Sequence, residues 1–186
     1  MDFASTRNRL LFAFFLVLTC VGCDQATKHM AQTRLPIFHV FSYLGDTVRL
    51  QYVQNTGAAF SIGADLPANV RWWIFVVGQG IFLLFLAIYI IKNRDEHSSQ
   101  FYGFALILGG GLGNFYDRIF RDGAVVDFLN IGFGNIIRTA IFNVADVVIT
   151  CGLFLLIYGI VKKEKTDDEP DQDVKPSDVD QLNGIA

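Results

Sequence analysis

Apolar residues in this chain fall into four long runs separated by shorter, more polar segments. Residues 10–23 carry no charge, and their apolar character continues past Asp24 to Met30. Residues 72–91 are twenty without a charge, residues 101–116 are sixteen, and 139–161 are interrupted only by Asp146. A membrane-spanning helix needs about 20 mainly apolar residues. The second run meets this outright. The others meet it when one or two polar groups face protein near the membrane boundary. Between the first two runs the period changes to two: Val48, Leu50 and Tyr52 alternate with Arg49, Gln51 and Val53. That pattern predicts a strand over 48–53, with a partner over 37–41 and a turn at Leu44-Gly45-Asp46. Residues 125–129 are a candidate third strand. The expected fold is a mainly α membrane protein, with four transmembrane helices and a small extracytoplasmic β-sheet. A sheet resting on the outer membrane surface can also take an extended peptide at its edge.

Composition agrees. The chain is 52% hydrophobic and only 18% charged, with eighteen Phe, whereas soluble domains are about one quarter charged. The net charge of −3 comes from the tail, where eight acids lie between Glu164 and Asp180. Two regions follow: a membrane domain over 1–165 and a disordered acidic cytoplasmic tail over 166–186. No basic face suits nucleic acid. Arg7 and Arg9, Lys92 and Arg94, and Lys162, Lys163 and Lys165 fall on one side of an up-down arrangement of four spans. This asymmetry places both termini in the cytoplasm. Arg7 and Arg9 before an apolar run also resemble a secretory signal. However, Cys20-Val21-Gly22 before Cys23 lacks a Leu three places back, and three more runs follow, so the run is read as a span. Cys20 and Cys23 form a C-x-x-C without the strand-then-helix setting of a redox motif.

The chemistry concentrates in two stretches, Gly123-Ala124-Val125-Val126-Asp127-Phe128 and Phe142-Asn143-Val144-Ala145-Asp146. Each sets one carboxylate among apolar residues, where a lone ionised group is costly. Two carboxylates brought together can share a proton, the working unit of an aspartic protease. Asp127 then follows span three, and Asp146 sits about two turns into span four. Asn143 and Asp146 share a helix face, as do Asn114 and Arg118. Asn55-Thr56-Gly57-Ala58 reads as a turn in which Gly57 supplies a backbone conformation closed to other residues. Gly57 and Ala58 leave room for a substrate backbone. Gly109 and Gly113 are spaced for close helix packing. Asp24 and Lys28 form an i, i+4 pair with a structural role, tying span one to the outer loops. Asp117 and Asp122 are nearby acids that do not match the pair, and Asn at either is expected to leave substantial activity. His29, His39 and His97 have no metal-ligand spacing. No Ser or Cys has a nearby base. Acids within spans also fit a proton-coupled carrier, although no internal repeat is present.

Together these motifs resemble the bacterial lipoprotein signal peptidases, or signal peptidase II. The resemblance rests on Asp24 with Lys28, Asn55-Thr56-Gly57-Ala58-Ala59-Phe60, Gly110 to Asn114 with Arg118, Val126-Asp127-Phe128 and Phe142-Asn143-Val144-Ala145-Asp146. Each motif is weak alone, but the ordered set over about residues 10–162 is specific. The resemblance implies an aspartyl endopeptidase of the bacterial inner membrane. Such an enzyme removes the signal peptide of diacylglyceryl-modified prolipoproteins, cutting before the lipidated Cys. It implies Asp127 and Asp146 as the catalytic pair. Asn55, Gly57, Ala58, Asn114, Arg118 and Asn143 would support the active site, and Asp24 and Lys28 the structure. The expected partners are lipidated prolipoproteins, membrane lipid and the inhibitor globomycin, with no cofactor and no metal. A non-catalytic lipoprotein-binding scaffold is the alternative reading.

Overall fold

The computed structural model describes residues 3–58, 61–94, 98–134 and 136–167. Ala59, Phe60, His97 and the tail beyond Asp167 lie outside the described residues.

Helix α1 (Phe3–Arg34) has 32 residues, about 48 Å at 1.5 Å per residue. That exceeds the roughly 30 Å hydrocarbon layer, so one end projects. The next helix runs over Ala68–Lys92 in three parts: α2 (Ala68–Trp72), a π-helical stretch (Trp73–Gly78) and α3 (Gln79–Lys92). Helix α4 is Ser98–Phe120 and α5 is Val144–Asp167. Three helices are long and apolar enough to cross a membrane: Thr6–Arg34, Ala68–Lys92 and Val144–Lys162.

Helix α4 is less apolar because it is the centre of the bundle, packed against α1, α3 and α5. Its glycines let the other helices come close. A Cβ added at Gly110 would lie 2.5 Å from the Ala145 carbonyl on α5. One at Gly113 would lie 2.6 Å from Asp24 Oδ2 on α1. The glycine spacing noted in the sequence thus serves packing.

Four antiparallel strands form one sheet in the order β1-β2-β3-β4: β1 (Phe41–Tyr43), β2 (Val48–Asn55), β3 (Val125–Phe133) and β4 (Ile137–Arg138). The strand expected over 37–41 does not form. Phe38 takes a left-handed φ of 64°, and the His39 N–H bonds the Pro36 carbonyl in a turn. Ile37 makes only an isolated parallel bridge to Tyr52, so pairing with β2 starts at Phe41. The turn at Leu44-Gly45-Asp46 is present, all three residues having positive φ. β3 is longer than expected and continues into a short β4.

The register places Val53 opposite Asp127 and Asn55 opposite Val125, with an irregularity between Leu50 and Val53. Asn55 and Asp127 are therefore diagonal neighbours on one face. Helix α4 ends where Asp122 and Gly123 turn left-handed and the Gly123 N–H reaches back to the Arg118 carbonyl. This stop aims the chain into β3 only a few residues before Asp127.

The fourth apolar run begins as extended chain. Phe142 bonds Leu129 of β3, so the helix cannot start at Thr139 and starts at Val144. Asp146 is consequently in the first turn of α5, not two turns in. At the other end α5 continues to Asp167, past the expected boundary at 165. The rest of the acidic tail lies outside the described residues.

Candidate active site

Asn143 makes the site. It caps α5: its side-chain oxygen accepts the Asp146 N–H at 3.0 Å, and its own N–H donates to Asp146 Oδ2 at 3.1 Å. This reciprocal pair is a capping box whose acidic member is Asp146. The same side chain donates through Nδ2 to Asp127 Oδ1 at 2.6 Å. One residue thus holds a carboxylate from the sheet through its side chain and a carboxylate from the helix start through its backbone N–H.

Two more amides complete the set. Asn114 donates to Asp146 Oδ1 at 2.9 Å. Asn55 donates to Asp127 Oδ2 at 3.1 Å and to the Ala58 carbonyl at 3.0 Å. Among the described residues neither Asp127 nor Asp146 is in an ion pair, and every group bonded to them is a neutral N–H. Asp127 is 3% exposed. Burial, and next the neighbouring Asp146 charge, push its carboxyl up to about 6. The Asn55 and Asn143 hydrogen bonds and the Lys28 charge oppose that rise.

The Asn55 side chain also accepts the Gly57 N–H at 3.0 Å, forming an Asx turn. Gly57 does not take a left-handed φ, so the expected reason for glycine is corrected. What it needs is space, since an added Cβ would lie 2.5 Å from the Ile62 carbonyl. The Gly57 carbonyl accepts from Arg118 Nη2 at 2.7 Å. Arg118 is buried, also donates to Gln79 Oε1 at 3.2 Å, and stacks 5.4 Å from the Phe75 ring centroid. Its Nε has no partner. Phe75 belongs to the π-helical stretch, an irregularity often found at functional sites.

One cavity of about 380 Å³ joins these parts. Asn55, Gly57, Ala58, Asn114, Arg118, Asp127 and Asp146 all line it, together with Ala140 to Phe142. Asn143 lies behind it, fully buried. Asp24 and Lys28 do not reach it. They tie α1 to α4 and α5 rather than to the outer loops. Lys28 Nζ lies 2.8 Å from Asp24 and 2.8 Å from Asn114 Oδ1, and Asp24 Oδ1 accepts the Ala145 N–H at 2.9 Å.

Asp117 is also corrected. It is fully buried, 2.9 Å from Lys28, bonded to Arg121, and accepts the Val126 N–H beside Asp127 at 3.0 Å. A bland surface acid does none of this. Its signal in the sequence was Arg121 four residues on, on the same helix face. Gln79 was missed as well; it donates to the Gly111 carbonyl at 3.0 Å and receives Arg118. It is an amide inside a run of twenty uncharged residues, and polar groups in such runs tend to be functional.

Comparison with known proteins is consistent across the chain. The family described as signal peptidase (SPase) II matches residues 16–162. A lipoprotein signal peptidase of Borrelia hermsii is 35% identical over 167 residues, covering 87% of this chain and 97% of the relative. One from Streptococcus pneumoniae is 36% identical over 149 residues, covering 80% and 92%. A solved bacterial membrane enzyme superposes with a TM-score of 0.71 at 29% identity, covering 88% of this chain and 94% of its own.

Proposed function

The chain belongs to the signal peptidase II family of peptidases, and from that premise we propose that Asp127 and Asp146 are its catalytic pair. The chain is a multi-pass membrane protein and a lipoprotein signal peptidase. The observation that carries the pair is Asn143, which donates to the Asp127 carboxylate through its side chain and to the Asp146 carboxylate through its backbone N–H, behind the one cavity both acids line.

Asp146 is the base. It sits in the first turn of α5, where unpaired backbone N–H groups favour negative charge. It takes a proton from a water, and the water oxygen attacks the scissile carbonyl carbon. Asp127, raised to about 6 by its burial and by Asp146, is the acid and gives its proton to the developing oxyanion. As the C–N bond breaks, Asp146 passes the water's proton to the leaving amine nitrogen, and the reforming carbonyl gives its hydroxyl proton back to Asp127. Arg118 has one unpartnered N–H beside the cavity. It and the Asn55 amide orient the substrate backbone, and Gly57 and Ala58 leave room for it. Asn114 and Asn143 keep the two carboxylates in register.

The substrate is a prolipoprotein whose Cys carries a diacylglyceryl group, cut before that Cys. Its acyl chains stay in the bilayer while the peptide enters the cavity. Globomycin would occupy the same cavity. Helix α4 is the fourth span. Its buried polar face is sheltered by three neighbours, and its 23 residues are long enough to cross. With four spans, the basic groups at Arg7, Arg94 and Lys162 support a topology in the inner membrane with both termini in the cytoplasm and the sheet and active site outside.

The test is cleavage of a purified precursor by the protein in detergent, read on a gel, with and without the diacylglyceryl group. The lipidated precursor is expected to be cut at least ~10-fold faster, because buried acyl chains position the scissile bond. Equal rates would remove the lipid requirement. No cleavage of either would remove the proposed reaction.

A further inference from the structure

Helices α1 and α3 both pack on α4 and leave a slot between them. Its volume is about 570 Å³, and Leu10, Phe14, Val17 and Leu18 of α1 face Ala87, Ile90 and Ile91 of α3 across it, with α4 as the floor. No polar residue lines it. Phe14, Leu18 and Ile91 are each about half exposed, so the slot opens outward.

The two walls end alike. On α1 the stripe of Leu18, Phe14 and Leu10 runs on, at helical spacing, to Arg7. On α3 the stripe of Ala87, Ile90 and Ile91 runs on to Arg94. A second cavity of about 310 Å³ at that end is lined by Arg7, Arg94, Thr6 and Leu11, and it shares Leu10 with the slot. One cationic mouth therefore continues into one apolar groove. Arg7 is seventeen positions before Asp24, roughly 25 Å along α1, so this lies at the far end of the bundle from the catalytic pair.

We propose that this groove binds one anionic glycerophospholipid, with its phosphate on Arg7 and Arg94 and an acyl chain along the α1–α3 slot. Guanidinium groups match phosphate oxygens with paired N–H donors, and basic pockets between membrane helices suit acidic headgroups. The groove from Leu10 to Leu18 is about 12 Å long, enough for much of an acyl chain. Among the described residues the charges lining the mouth are Arg7 and Arg94, and they complement an acidic headgroup rather than the end of an apolar helix.

The test is native mass spectrometry of the full chain in detergent, titrated with phosphatidylglycerol, phosphatidylcholine or inorganic phosphate. One phosphatidylglycerol per chain should bind about thirty-fold more tightly than phosphatidylcholine, the effect of two basic groups near an acidic headgroup. The Arg7→Gln/Arg94→Gln double variant should bind both lipids alike. Ala87→Trp, which fills the slot, should weaken both. Inorganic phosphate should not displace the lipid. Cleavage activity, seated at the other end, reports that each variant is folded; if Ala87→Trp fails that control, the arginine variants decide alone. Equal lipid affinities in the unsubstituted protein would overturn the proposal. So would a preference that survives the double variant, displacement by inorganic phosphate, or a second copy of the chain seated on the groove.

Discussion

Two clusters of ionisable side chains meet at Asn114, and they are built on opposite principles. In the first, Asp24 and Asp117 face Lys28 and Arg121, two acids against two bases. The lone pairs left over accept the Ala145 and Val126 N–H groups and the Gln25 amide. In the second, Asp127 and Asp146 touch only the neutral N–H groups of Asn55, Asn114 and Asn143. The matched cluster pairs each buried acid with a base, and it fastens α1, α4 and β3 together. An unmatched pair keeps a proton within reach of neutral pH, as Asp127 at about 6 shows. Burial alone does not distinguish holding from reacting; the balance of charge around the acids does.

Breaking the balance of the first cluster is the largest perturbation. Lys28→Met leaves Asp24 and Asp117 buried with one base between them, and is expected to cost about 3–5 kcal/mol. It should appear as loss of folded protein in thermal unfolding and size exclusion. Asp117→Asn is milder, about 2–3 kcal/mol for weakened charged hydrogen bonds, and its loss of activity should follow its loss of fold. An Asp117→Asn protein with unchanged melting temperature would contradict the holding role.

Asn143→Ala acts on the second cluster without altering any charge. Losing the cap costs ~1 kcal/mol, while misplacing both carboxylates should lower turnover about 10²-fold, the scale of one lost preorganised donor. A turnover loss no larger than the stability loss explains would reduce Asn143 to a cap.

The pH profile sharpens the contrast further. If Asp127 must be protonated, kcat/KM falls as pH rises through about 6, since this parameter reports the free enzyme. A rise through that value would reverse the roles of the two acids. The smallest expected effect is none: a chain stopped after Lys165 should cleave at the full rate. Lys165 is nineteen positions beyond Asp146 on α5, about 28 Å from the chemistry.

The parts of this structure legible in the sequence are those set by local pattern. Runs without charge gave the helices, because lipid-facing surface admits little else. Alternation at Val48 to Val53 gave β2, and every motif residue bearing an amide or a carboxylate except Asp24 reached the site. What was not legible depended on tertiary partners. The stretch 37–41 reads as a strand, yet Phe38 turns left-handed and pairing begins only at Phe41. Residues 139–143 are apolar enough for helix, but Phe142 pairs with β3 and moves the helix start, and with it Asp146. Along the chain Asp117 differs from Asp122 only in having Arg121 four residues on; the arrival of Lys28 from α1 and of Val126 from β3 is what makes the difference large.

The most direct measurement on Asp127→Asn is turnover at about pH 6, where the unsubstituted protein is active, with thermal unfolding of the same sample at pH 8. The rise of Asp127 from an ordinary 3.8 to about 6 means that the fold binds this proton more tightly than the unfolded chain does. Stability therefore falls as pH climbs between those values, by up to ~3 kcal/mol, and the deficit persists above them. Asparagine carries no charge and escapes that deficit, although its amide opposes the donors on Asn55 and Asn143 and reduces the gain. The expected result is no detectable cleavage of lipidated precursor with a melting temperature equal to or above that of the unsubstituted protein. Near-normal cleavage, or a melting temperature lowered as far as that of Lys28→Met, would contradict the assignment of Asp127 to the reactive cluster.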